Sequence, residues 1–349
     1  MSERERFKAA VVGAGRMGRH HARTYAAMPN VELVAVIDRD TERAEEAVEE
    51  YGGVALPDVA TLLEKFPGLT GATVSVPTEF HVAAATPLLE HGVACLIEKP
   101  LAPTLADAVS LKELAEQHGA VLQVGHTERF NPAVRALVAK QLSPRFMEVD
   151  RVSPMTFRSL DVGVVMDMMI HDLDILLTLA RSPIAKVDAV GVSVLGEYED
   201  VCDARLTFEN GCVATLTGSR LAMKTERKLR LFSETSYVSL DYAKQSGLVI
   251  EKSGNDDALA DLRRQLAAGA DLSGLDFTDL VNLDELDMDL PAAERDPLTA
   301  QASAFLNCAA SGGEPVVTAA QGCAAIDAAE HIAAAMAAHR WEGLGEARL

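Results

Sequence analysis

Through the first 126 residues, short β-branched runs alternate with amphipathic helical stretches, a rhythm that restricts this part of the chain to a parallel sheet covered on both faces by helices. The runs occupy residues 9–14 (AAVVGA), 31–38 (VELVAVID), 71–77 (GATVSVP), 94–100 (ACLIEKP) and 120–126 (AVLQVGH), with a weaker candidate at GGVALP. Helices are expected between them, for example over 41–51 and 104–117, each opening on a threonine able to cap it. The chain has 349 residues, enough for two domains of a typical ~150 residues.

After about residue 128 the rhythm changes. An apolar helix over 162–180 precedes long alternating strands. In CDARLTFENGCVATLTGSRL, Ala204, Leu206 and Phe208 point one way, while Asp203, Arg205, Thr207 and Glu209 point the other, and Asn210-Gly211 reads as a hairpin turn. The expected fold is therefore α/β: a parallel domain over 1–127, then an α/β domain over 128–349 built on an open, mainly antiparallel sheet. Residues 255–290 carry ten acidic residues against Arg263 and Arg264 and are expected to be a solvated insertion. Ala-rich helices are expected over 297–310 and 318–338. A sheet with one face uncovered suits a substrate or a second subunit, so a homodimer or homotetramer through the C-terminal sheet is expected.

Charge excludes some partners. With 32 basic against 52 acidic residues the net charge is −20, which works against nucleic acid or an anionic membrane surface. No segment is apolar and long enough for a membrane span, and the opening MSERER does not read as a signal peptide. Cys95, Cys202, Cys212, Cys308 and Cys323 form an odd set without a C-x-x-C pair, so reduced cysteines in a cytoplasmic protein are expected.

Gly13-Ala14-Gly15-Arg16-Met17-Gly18 follows the first strand and opens a helix, the context in which G-x-G-x-x-G reads as a dinucleotide site. The first glycine permits the tight turn, the second admits a pyrophosphate to the backbone, and the third lets helix and strand pack closely. Asp38 ends the second strand, where its carboxylate can accept hydrogen bonds from both adenosine ribose hydroxyls. A 2′-phosphate there would meet a like charge, which favours NAD. Arg39 beside it can pair such a phosphate and keeps NADP as the alternative.

Two further features fall where an open α/β sheet binds ligands, outside the carboxyl ends of its strands: Pro77-Thr78 and Glu98-Lys99-Pro100. From position alone, Lys99 is either a solvated loop cation or an amine that polarises a substrate hydroxyl. In the second half, Asp167 and His171 stand four apart on one helix face, so the carboxylate can fix the imidazole tautomer and raise its basicity. That arrangement suits a general base that takes the proton of a carbinol as hydride leaves. Two acids beside one histidine also resemble a metal cluster, but no second histidine stands at ligand spacing and no metal is expected. His20, His21, His91, His118, His331 and His339 read as helix-surface or terminal residues.

Together, GAGRMG, VPTEFH, EKP and D-x-x-x-H-x-x-D resemble the Gfo/Idh/MocA family of NAD(P)-dependent oxidoreductases, over nearly the whole chain. The resemblance implies a Rossmann domain followed by an α/β domain with an open sheet. It implies a catalytic pair of Lys99 and His171 with Asp167 in support, and cofactor contacts from the glycine loop, Arg16, Met17, Asp38, Arg39, Pro77, Thr78, His81, Glu98 and Lys99. Residues 125–132 (GHTERFNP), Phe157-Arg158-Ser159 and 164–174 are similar to the branch that oxidises C3 of the sugar in UDP-N-acetylglucosamine. That points to a sugar as substrate and to Arg129, Asn131 and Arg158 in its binding. The strongly basic stretch of Arg220, Lys224, Arg227, Lys228 and Arg230 can supply a diphosphate site, with Arg227 and Arg230 as its principal forks. Met169 departs from the glycine that many relatives carry before Ile-His. Dehydrogenation of a free polyol such as myo-inositol, an NAD-assisted glycosidase and a non-catalytic dinucleotide sensor are the competing readings.

Overall fold

The computed structural model describes residues 6–156, 162–252, 256–269, 281–288 and 290–341. They fall into two compact units, one drawn from Met1–Asn131 and Leu290–His331, the other from Pro132–Asp289 and Ile332–Leu349.

In the first unit β1 (Phe7–Val12), α1 (Arg16–Ala27), β2 (Val31–Ile37), α2 (Thr41–Tyr51), β3 (Val54–Leu56), α3 (Val59–Lys65), β4 (Gly71–Val74), α4 (His81–Glu90), β5 (Ala94–Glu98), α5 (Leu105–His118) and β6 (Leu122–Gly125) alternate as the hydrophobic rhythm demands. The sheet is parallel in the order β3-β2-β1-β4-β5-β6. The order reverses between β1 and β4, which opens a crevice at the carboxyl ends of those two strands. Thr104 caps α5 as expected, accepting from the Asp107 amide at 3.1 Å, whereas the N-cap of α2 is Asp40 rather than Thr41.

The segment 290–331 lies with this unit, not with the second domain where the sequence reading places it. After the helices and strands of the second unit come α9 (Ala292–Arg295) and α10 (Pro297–Ser311). From α10, Ala302, Phe305 and Leu306 enter the same core as Val11, Tyr25, Val36 and Leu96. The Phe305 ring fills the space above Gly71, where a Cβ would stand 2.8 Å from it. Nothing local in an Ala-rich helix states which sheet it will cover. Val317 O accepts from the Val124 amide at 3.0 Å just ahead of α11 (Ala319–Ala338), which protects the edge of β6.

The second unit comprises α6 (Pro132–Ala139), β7 (Phe146–Val152), α7 (Ile170–Ala180), β8 (Ile184–Val192), β9 (Val201–Phe208), β10 (Val213–Ser219), β11 (Glu226–Phe232), β12 (Ser236–Asp241), β13 (Ser246–Lys252), α8 (Asp256–Ala267) and β14 (Val281–Glu285). Its sheet runs β14-β13-β12-β11-β7-β10-β9-β8, antiparallel at every pairing except β7 with β10. Alternation sets the faces: Ala204, Leu206 and Phe208 are buried, Asp203 and Arg205 exposed, and Asn210-Gly211 turns the β9–β10 hairpin with Gly211 at φ +84°. The acidic stretch 255–290 is not wholly irregular, since α8 and the edge strand β14 lie within it. The residues of β14 beyond Val281 are exposed, as the charge of that stretch requires.

Candidate active site

At the crevice of the first sheet each glycine of the loop has a separate physical reason. Gly13 sits at φ +100°, and a Cβ there would meet the Ser75 carbonyl carbon and the Val76 nitrogen at 2.8 Å. A Cβ on Gly18 would stand 1.7 Å from the Gly13 oxygen, so helix and strand cannot close without glycine there. Around Gly15 nothing lies within 4 Å of a Cβ, which leaves the backbone open to a bulky anion. The first turn of α1 carries no acidic residue and no side-chain cap, so its amides and dipole face that opening. Asp38 closes the loop from the side, accepting from Ala14 N at 2.7 Å and from Asp40 N at 2.9 Å. A carboxylate has about four acceptor positions, so capacity for ribose hydroxyls remains. The Arg39 guanidinium lies over the Phe80 ring at 4.8 Å, next to Asp38. The loop therefore fits a dinucleotide.

Lys99 follows β5 directly and is half-buried. Its surroundings are built by two histidines. His81, at the start of α4, is 1% exposed, with Nδ1 at 3.0 Å from Pro100 O and Nε2 at 3.0 Å from Val76 O. Burial holds its ring below the ordinary imidazole range, against the pull of those carbonyls. A neutral ring carries one N–H, so the ring expected at the cofactor donates to one of these carbonyls and packs its other nitrogen beside the second, between the chain after β4 and the chain after Lys99. On the other flank the Glu98 carboxylate receives His21 Nε2 at 2.7 Å and the Lys99 amide at 3.3 Å. Burial alone would raise the Glu98 carboxyl; the hydrogen bond from His21, aided by Lys99, holds it below the usual carboxylate range. His21, assigned above to the helix surface, is fully buried. The signal was present in the sequence: Gly18, His21, Ala22 and Tyr25 form an i, i+3, i+4, i+7 stripe, and all four are buried. Among the resemblance-implied contacts, Pro77 is exposed, Thr78 opens a short 3₁₀ turn, and Asn131 is buried with its amide on Glu128 Oε2 at 3.2 Å. Arg129 lies in the 3₁₀ turn Thr127–Phe130. Arg158 lies outside the described residues.

In the second unit Asp167 and His171 are both half-buried, while Asp172 and Asp174 on the same helix are buried. The expected straight helix is a π turn over Val165–Met169 running into α7, so Asp167 sits on the wide turn and His171 on the regular one. Glu199, Arg220 and Arg151 fix this helix start. Glu199 accepts from Val164 N through its backbone at 3.0 Å and from Val165 N through Oε1 at 3.1 Å. Its carboxylate occupies the space above Gly163, 2.0 Å from where a Cβ would stand. Arg220, 5% exposed, bonds Asp200 Oδ1 at 2.8 Å, Val162 O at 2.9 Å and Glu199 O at 3.1 Å. Arg151 on β7 grips Asp172 with two nitrogens, one at 3.0 Å to Oδ1, with both side chains buried. Met169 is fully buried against Gly218 of β10, whose Cβ would stand 2.5 Å from Met169 Cγ. The bulk of Met169 is thus taken up by a glycine on the facing strand.

The basic stretch does not act as one surface. Arg220 is the buried hub just described. Alternation along β11 puts Arg227 in register with Arg151 on the face of buried Leu229 and Leu231, while Lys228 and Arg230 are on the opposite face. Arg230 pairs with Glu148 at 3.0 Å, and Lys224 and Lys228 both pair with Glu226. Arg227 and Arg230 therefore cannot grip one diphosphate together. All five cysteines are buried and unbridged, and burial pushes the Cys202 thiol up to about 12, so these thiols are not nucleophiles.

The sequence model described as "Oxidoreductase family, NAD-binding Rossmann fold" matches residues 7–126, and the GFO/IDH/MocA C-terminal domain matches residues 135–238. This chain belongs to the Gfo/Idh/MocA family of oxidoreductases. The chain is an NAD-binding oxidoreductase of the class that acts on CH-OH groups, as the glycine loop and Asp38 fit. A UDP-N-acetylglucosamine 3-dehydrogenase of Acidithiobacillus ferrooxidans is 35% identical over 275 residues, 76% of this chain and 86% of the relative. A solved structure of that enzyme superposes with a TM-score of 0.81 at 31% identity, covering 95% of this chain and 97% of its own. The scyllo-inositol 2-dehydrogenase (NAD(+)) of Bacillus subtilis is 28% identical over 230 residues, 61% of this chain and 67% of the relative. Levoglucosan dehydrogenase in complex with NADH and levoglucosan shares the fold at a TM-score of 0.79 and 17% identity, over 95% of this chain and 97% of that one. Among the described residues no helix is long and apolar enough to cross a membrane.

Proposed function

We propose that this oxidoreductase converts the C3 hydroxyl of UDP-N-acetylglucosamine to the ketone, giving the 3-oxo sugar nucleotide. The observation that carries the reading is the 35% identity across 86% of the Acidithiobacillus dehydrogenase named for that substrate. NAD, when bound at the glycine loop, supplies the hydride acceptor. His171 takes the hydroxyl proton, with Asp167 one turn away orienting the imidazole, and Lys99 donates a hydrogen bond to the same oxygen and stabilises the charge that develops there. Arg129, Asn131 and Arg158 bind the sugar, and Arg227 contacts the diphosphate. The open face of the second sheet, where Glu148 and Arg230 lie, pairs with a second copy of the chain.

Purified protein mixed with UDP-N-acetylglucosamine and NAD should generate the absorbance of reduced nicotinamide, more strongly when an aminotransferase removes the ketone. No absorbance with the trap present would contradict the substrate. A free polyol is the second reading, favoured by the division of the basic stretch, since a polyol has no phosphate to hold. Under that reading Arg227→Gln leaves the KM unchanged, whereas for the sugar nucleotide it rises by ~10-fold or more.

A further inference from the structure

We propose that His21 is a positioning residue for Lys99, acting through the buried Glu98 carboxylate. It rests on Lys99 being the group that meets the substrate oxygen. Three observations converge within the first unit. His21 projects from the inward stripe of α1, the same helix whose start forms the dinucleotide loop, and its Nε2 lies 2.7 Å from Glu98 Oε1. The other carboxylate oxygen, Oε2, accepts from the Lys99 amide at 3.3 Å, so one carboxylate joins the cofactor helix to the backbone of the lysine. Gly125 of β6 makes the place that the carboxylate occupies, because a Cβ there would stand 2.8 Å from Glu98 Cα and 3.1 Å from its carboxyl carbon.

The tautomer follows from the same contacts. His21 Nδ1 is buried without a partner. With hydrogen on Nε2, the ring donates to Glu98 and leaves only an acceptor unfilled. With hydrogen on Nδ1 a buried donor would be orphaned and two acceptors would face each other. The buried carboxylate is thereby fixed in one orientation, and with it the direction in which the chain leaves β5. On the far side of the same turn the buried His81 ring lies between Pro100 O and Val76 O and donates to one of them, so Lys99 stands between imidazoles carried by α1 and α4. A residue that only filled space at His21 would not need to be polar or to aim a donor at Glu98.

The test compares His21→Gln, which keeps a donor at the Nε2 position, with His21→Leu, which does not, each in the full chain with and without NAD. Hydrogen exchange of the peptide spanning 94–102, the dissociation constant for NAD, the melting temperature and turnover of UDP-N-acetylglucosamine are read together. His21→Leu is expected to speed exchange in that peptide by ~10-fold, leave peptides of β1 and β2 unchanged, and lower kcat by ~10²-fold with NAD affinity within ~3-fold of the parent. His21→Gln should return exchange and kcat to within ~5-fold of the parent even where its melting temperature is as low as that of His21→Leu. Unchanged exchange in His21→Leu, or a Gln variant no better than Leu with losses that follow melting temperature, overturns the proposal. If His21→Leu does not fold, Glu98→Gln takes its place, and exchange there equal to the parent overturns it. If the parent itself fails to oxidise UDP-N-acetylglucosamine, the substrate reading falls, while the exchange measurement still decides the role of His21.

Discussion

The candidate groups of the first unit and those of the second are held in different ways. In the first unit the dinucleotide loop is shaped by steric fit: Gly13 and Gly18 remove atoms that would collide with Ser75, Val76 and the loop backbone, and Asp38 ties back to Ala14 at 2.7 Å. In the second unit the helix start bearing Asp167 and His171 is held by charged side chains: Glu199, the Arg220–Asp200 hub and the Arg151–Asp172 pair. One is a steric device. The other is an assembly of desolvated charges, sensitive to the loss of any single member.

That contrast can be broken most severely at Arg151. Arg151→Leu leaves Asp172 buried without its ion partner and is expected to cost ~3–5 kcal/mol in denaturant unfolding, whereas Arg151→Met combined with Asp172→Leu should recover much of the loss. A single variant within ~1 kcal/mol of the parent would show that the pair is not desolvated in solution.

The next test sets two glycines against each other. Gly18→Ala forces a Cβ to 1.7 Å from a backbone oxygen and should cost ~1–3 kcal/mol or more of stability. Gly15→Ala meets nothing, so its melting temperature should match the parent while the dissociation constant for NAD rises by ~10-fold, read by titration calorimetry. Equal melting losses in the two variants would contradict the separate roles.

These same positions explain what the sequence could tell. The glycine spacing, the strand runs and Asp38 are legible because a βαβ unit packs neighbours in sequence, and the inward and outward faces of β9 follow from its period of two. The placement of α10 was not legible, since the contact that decides it pairs Phe305 with Gly71, more than 230 residues apart. Lys99, Asp167 and His171 could be singled out by spacing and resemblance. The role of Arg220 could not, because a buried hub and an anion-binding arginine look alike until the partner Asp200 is placed. His21 was misassigned although its stripe was visible, because a polar residue on the inward face of a helix is rarer than one on the surface.

Acid provides a smaller perturbation. His81 titrates below its unfolded value, so the native state binds fewer protons there and stability should fall as pH drops through the ordinary imidazole range near ~6.5. Glu98 is also depressed, and its contribution is lost at lower pH, as the carboxylate range near ~4.3 is entered and passed. His81→Gln should flatten the first limb in urea unfolding and leave the second. A parent slope unaltered by that change would remove His81 from it. The smallest effect is expected at Arg230, whose half-exposed pair with Glu148 is worth at most ~1 kcal/mol, so Arg230→Gln should unfold almost as the parent does.

The proposal on which the rest depends is that Lys99 and His171 act on one alcohol. The direct measurement is a double-mutant cycle in kcat/KM with UDP-N-acetylglucosamine, using Lys99→Met, His171→Ala and the combined variant, with NAD affinity measured for each. Groups that act as a unit give grossly non-additive losses, so each single variant should fall by ~10²-fold or more and the double variant little further. Independent, multiplicative losses, or a single variant that turns over like the parent, would contradict it.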